Sequence, residues 1–201
     1  MATHLDDQAL LALHAQALDH FGRLVRAVPD DRWQAPTPCT DWTVRQLVGH
    51  LTYEQLWVPD LLNGATIAEV GDRYDGEVLG DDPVAAWTAA ADAARAAFAA
   101  PGALRRTVHL SYGRRRAAGY AREMTVDAIV HSWDLATGIG ADARMDPAAA
   151  SFALDELAPQ AGMLAASGLF ADAVPVPDDA DPQTRLLGLV GRDAAHPFRD
   201  N

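Results

Sequence analysis

Apolar residues recur at three- and four-residue spacing along most of this chain, which is the period of a buried helix face. Leu10, Leu13, Leu18, Phe21, Leu24, Val25 and Val28 predict a first helix over 6–28, capped by Asp6 or Asp7 and closed by Pro29. Trp33 to Asp41 reads as a loop, because Pro36 and Pro38 bar helix. Thr43-Val44-Arg45-Gln46 is a capping box, and a second helix runs from it to Asn63, with Gly64 as its stop. Glycine-rich residues 64–82 predict a long crossover loop. Asp82-Pro83 then opens a third helix over 83–99, which ends at Pro101-Gly102. Residues 104–112 alternate weakly and predict a short extended piece; Arg114, Arg115 and Arg116 read as a solvated loop. A fourth helix is expected from Ala118 to Thr137, ended by Gly138 and Gly140. Asp146-Pro147 starts a fifth over 147–167, with a break at Pro159 and a stop at Gly168. Gln183 to Gly191 closes the pattern as a short helix that packs Leu186, Leu187, Leu189 and Val190 inward.

These elements predict an all-α fold: a helical bundle with a long crossover loop and a short C-terminal extension, read as one domain over 1–201. The hydrophobic fraction of 49% supports a packed core. The net charge of -12 argues against nucleic acid and anionic membrane as partners. No apolar run reaches the length of a membrane span, and Met1 to Asp7 lacks the pattern of a signal peptide. Cys39 is the sole cysteine, so no internal disulfide is expected, and a reduced cytoplasmic setting fits. Ala- and Leu-rich helix faces leave room for a homodimer.

The fourth helix carries the candidate chemistry. Asp127 and His131 are four residues apart, roughly 40° around the helix and roughly 6 Å along it, so their side chains can converge on one ion. The same spacing also suits a plain hydrogen-bonded pair. His50, set in an apolar stretch of the second helix, offers a third ligand. Two imidazoles and one carboxylate suit Zn²⁺, with Ni²⁺ and Fe²⁺ as alternatives, and three protein ligands leave a position open, as in catalytic sites. His14 and His20 read as exposed or rim histidines. Cys39 is either a small buried filler or a thiol near the positive end of the second helix. Trp42, Trp57 and Trp133 read as core residues that could also wall a pocket.

Two stretches carry a family resemblance. Thr37-Pro38-Cys39-Thr40-Asp41-Trp42-Thr43-Val44-Arg45-Gln46-Leu47-Val48-Gly49-His50-Leu51 resembles the first signature of the mycothiol-dependent maleylpyruvate isomerase-like, metal-binding proteins of the DinB superfamily. Asp127-Ala128-Ile129-Val130-His131-Ser132-Trp133-Asp134-Leu135-Ala136 resembles their second, and Arg185 to Asp193 is similar to the tail of the single-domain branch. The resemblance implies a DinB-like four-helix bundle with one divalent metal held by His50, Asp127 and His131. It also implies a low-molecular-weight thiol such as mycothiol as partner. The isomerase has glutamate at the position of Asp127, and a C-terminal α/β lobe that residues 170–201 are too few to build. The expected activity is therefore thiol S-transfer or isomerisation on a small electrophilic substrate, without maleylpyruvate specificity. Alternatives are metal-hydroxide hydrolysis and a non-catalytic metal-binding module. Glu54 and Asp134 are the candidate general bases, although Asp134 could instead orient an imidazole.

Overall fold

Side-chain caps set most of the helix starts. Asp6 accepts a hydrogen bond from the Ala9 amide at 2.8 Å and opens α1 (Asp7–Arg26). Thr43 and Gln46 form a reciprocal capping box at the start of α2 (Val44–Leu62). Asp82-Pro83 opens α4 (Pro83–Ala99), Asp146-Pro147 opens α6 (Pro147–Leu157), and Asp181-Pro182 opens α7 (Pro182–Leu189), each by an acid side chain on first-turn amides. In this computed structural model the described residues are 5–39, 42–163 and 171–198. Thr40 and Asp41 of the first signature, and the expected helix stop at Gly168, lie outside them.

Three stretches depart from expectation. The crossover region contains a single-turn helix, α3 (Ile67–Val70), held by a second capping box from Thr66 and Glu69. The arginine triplet is a strand rather than a loop: β1 (Thr107–Leu110) pairs antiparallel with β2 (Gly113–Arg116), setting Val108 opposite Arg115. Helix α5 runs Ala117–Ile139, so Gly138 lies inside it and only Gly140, at φ 73°, terminates it in the left-handed region.

Helix α2 packs on α4, α4 on α1, α1 on α5, and α5 back on α2, so these four helices close a ring around one core; α6 covers α5, and α7 covers α6. Helix α5 is buried nearly all round, as expected of a helix without a strong polar face. His14, expected at a rim, sits inside this core at 1% exposure, between Thr125 and the Phe98 ring; its position in the α1 stripe between Leu10 and Leu18 turns it inward. His20 is half-buried. No helix among the described residues is long and apolar enough to cross a membrane.

Candidate metal centre

Where α2 meets α5, the capping box fixes the register of α2 and places His50 opposite the middle of α5. His50 Nε2 stands 3.6 Å from Asp127 Oδ2, and His131 Nε2 stands 3.3 Å from Asp127 Oδ1. The two imidazole rings meet nearly edge to face, with centroids 5.3 Å apart. One ligand atom from each of the three residues lies within 4.8 Å of the other two. Tetrahedral ligands at a metal–nitrogen distance of about 2.1 Å stand about 3.4 Å from one another, so the carboxylate-to-imidazole spacings match what one ion requires. Asp127 Oδ2 is also buried and has no hydrogen-bond partner among the described residues. A buried carboxylate oxygen left bare is costly, and a cation would satisfy it. On both counts the residues fit a divalent ion.

A second group, Cys39, His131 and Asp134, also brings one ligand atom from each residue within 4.8 Å of the others. Hydrogen bonding separates the two. Asp134, at 0% exposure, accepts from His131 Nδ1 at 2.9 Å and from Arg192 Nε and Nη2 at 3.2 and 2.8 Å, so its oxygens are already engaged. The Nδ1–H bond also directs His131 Nε2 toward Asp127 and His50, the side where the carboxylate oxygen is bare. Cys39, half-buried, has its sulfur within 4.8 Å of ligand atoms of both His131 and Asp134.

Electrostatics follow the same geometry. Burial pushes the Asp127 carboxyl up, but the His131 and His50 rings outweigh burial and hold it well below the usual carboxylate range. Burial lowers the His131 pKa, yet the Asp127 charge and the bonds to Asp127 and Asp134 raise it to about 9. Glu54, one turn beyond His50, is raised above the ordinary glutamate value, first by burial and then by the Asp127 charge, with the two imidazoles partly offsetting. Of the two candidate bases, Glu54 therefore sits within the field of the cluster, while Asp134 stands behind His131 with no free face.

A cavity of about 380 Å³ opens beside His50, lined by Trp42, Arg45, Gln46, Tyr53 and Glu77. Trp42 forms its wall and stacks on the His50 ring at 4.5 Å. Arg45 is braced by Glu77 at 2.9 Å and the Gly80 carbonyl at 2.7 Å. A second cavity, about 310 Å³, lies on the opposite face of α5, where Ile129, Ser132 and Trp133 line it, and shares no residue with the cluster. Trp57 is a core residue whose ring meets those of Tyr53 and Tyr74. Arg192 is the participant that sequence reasoning missed: it lies past the last helix, and nothing local marks it as the partner of a residue in α5.

Comparison with known proteins identifies the family and the fold. Residues 14–136 match the family model described as the mycothiol maleylpyruvate isomerase N-terminal domain. Two Mycobacterium tuberculosis proteins, both described as uncharacterized, are 32% identical to the chain over 191 residues, covering 90% of it and 97% of each of them. A crystal structure of a histidine-to-alanine mutant of the mycothiol-dependent maleylpyruvate isomerase superposes with a TM-score of 0.67 at 15% identity. Another crystal structure of that isomerase superposes with a TM-score of 0.57 at 18% identity. Both cover 88% of this chain and 78% of theirs, which makes the fold DinB-like. The match to the family model spans more than half of the chain, including His50, Asp127 and His131, and the chain belongs to the mycothiol maleylpyruvate isomerase N-terminal domain family.

Proposed function

We propose that the protein binds one divalent metal ion, Zn²⁺ before Ni²⁺ or Fe²⁺, through His50, Asp127 and His131, and uses it for mycothiol-type S-transfer or isomerisation on a small electrophile. The observation that carries this reading is the convergence of one ligand atom from each of the three residues, together with a buried Asp127 oxygen that has no hydrogen-bond partner among the described residues. Held by His50, Asp127 and His131, such an ion would supply the positive charge that keeps a bound thiol as thiolate near neutral pH.

The chain's own residues do the rest. Asp134 keeps a proton on His131 Nδ1 and so presents Nε2 as a ligand. Glu54, half-buried one turn beyond His50, is the carboxylate that would take up the thiol proton and return it to the product. Trp42 walls the cavity beside His50, and Arg45, Gln46 and Tyr53 give it a polar lining that suits a polar thiol better than an apolar one.

Glu54 also supports a second reading, hydrolysis with water in place of the thiol. One experiment covers both. Purified protein is reconstituted with Zn²⁺, its metal content is measured by mass spectrometry, and loss of a chromogenic electrophile is followed with and without a thiol. We expect about one ion per chain and thiol-dependent turnover, with both signals gone in His50→Ala. Turnover without thiol selects hydrolysis; failure to bind metal after reconstitution ends both readings.

A further inference from the structure

Arg192 follows α7 in the chain, yet its guanidinium lies inside the protein, beside α5. A buried guanidinium needs every donor directed at an acceptor. Here Nε and Nη2 go to the two oxygens of Asp134, and Nη1 goes to the Val190 carbonyl at 2.7 Å. The paired contact is the planar fork that only arginine offers a carboxylate. The segment delivering it is set tightly: Gly191 takes φ 77°, and a Cβ there would come within 2.6 Å of the Ala171 carbonyl oxygen.

A staple between tail and core would not need the carboxylate it grips to be the one that also accepts from His131. Because Asp134 has both duties, rotation of its carboxyl would release His131 Nδ1 and let the ring turn Nε2 away from Asp127 and His50. We propose that Arg192 is a positioning residue of the metal centre: by locking Asp134 it fixes which His131 nitrogen faces the other two ligands, and it thereby couples docking of the C-terminal segment to binding of a divalent ion. This rests on the reading of His50, Asp127 and His131 as ligands. Coupling is reciprocal, so the ion must in turn tighten the docking of residues 182–192.

The test measures Zn²⁺ affinity, by competition with a chromophoric chelator, for the wild type, His50→Ala, Arg192→Met and Arg192→Lys. Hydrogen exchange of residues 182–192 is followed with and without Zn²⁺. Loss of a group that orients a ligand weakens metal binding by roughly 10- to 100-fold, and that loss is expected for Arg192→Met, with partial recovery in Arg192→Lys. Zn²⁺ should slow tail exchange in the wild type and leave it unchanged in His50→Ala. Wild-type affinity in a folded Arg192→Met protein, or tail exchange in the wild type that ignores Zn²⁺, overturns the inference and leaves the ligand reading intact. If Arg192→Met does not fold, the double variant Asp134→Asn with Arg192→Met leaves no unpaired buried charge; it should show the same loss, and wild-type affinity there overturns the inference equally. Absence of Zn²⁺ binding in the wild type, or undiminished binding in His50→Ala, removes the ligand reading and the inference with it.

Discussion

His14 donates Nδ1–H to Thr125 Oγ1 at 3.2 Å, because that hydroxyl already gives its own proton to the Ala121 carbonyl at 2.6 Å. The remaining nitrogen, Nε2, is a bare acceptor in the core with no hydrogen-bond partner among the described residues. Burial, and then the Arg95 charge, lower the His14 pKa from 6.5 to about 4. The unfolded chain therefore takes up this proton before the folded one does. The contribution to stability is complete above pH 6.5 and is lost as pH falls toward 4. The difference between the two pKa values corresponds to about 3 kcal/mol. His14→Leu should be less sensitive to acid between pH 6.5 and 4.5 than the wild type, measured as the shift in urea midpoint between those pH values. Equal shifts in the two proteins would refute this account. The position was legible, since His14 falls on the apolar stripe of α1; the general preference of histidine for surfaces obscured it.

At the scale of elements, the C-terminal turn of α5 meets the loop that leads into α2. A Cβ on Gly138 would stand 3.2 Å from the Pro36 carbonyl oxygen and 3.3 Å from both Thr37 and Val44 side chains. Gly138→Ala gains about 1 kcal/mol in helix propensity but loads three close contacts, one of them to backbone, at a cost of about 1–3 kcal/mol. We expect a net loss of stability, read as a lower melting temperature; an increase would mean that the loop yields freely. The same glycine shows what a sequence does and does not disclose. Caps such as Asp6, the Thr43–Gln46 box and the Asp-Pro pairs are local chemistry, so the long helices could be placed from them. Gly138 resembled a stop because close approach by another segment leaves no local mark. β2 was hidden because its Gly-Arg-Arg-Arg run has no apolar alternation and owes its strand form to pairing with β1. α3 did carry a readable sign, the Thr66–Glu69 box, within a stretch otherwise dominated by glycine. His50, Asp127 and His131 were legible as a group because helix spacing and the two signatures pointed to the same residues. Arg192 was not, since its role exists only through a partner 58 positions away.

For the whole molecule, charge and connectivity act together. A net charge of -12 gives an acidic field that favours approach of a cation and disfavours polyanions. The ring of α1, α4, α2 and α5 brings together helices that are distant in the chain. The proposed ligands are divided between two members of that ring, His50 on α2 and Asp127 with His131 on α5. An ion held there is a cross-brace, and unfolding would have to release it. Fold stability then becomes a titratable quantity: at free Zn²⁺ a hundredfold above the dissociation constant the gain is about 2.7 kcal/mol. Melting temperature should climb with added Zn²⁺, fall back on chelation, and stay flat in His50→Ala; a wild-type protein whose melting ignores both additions would have no such brace.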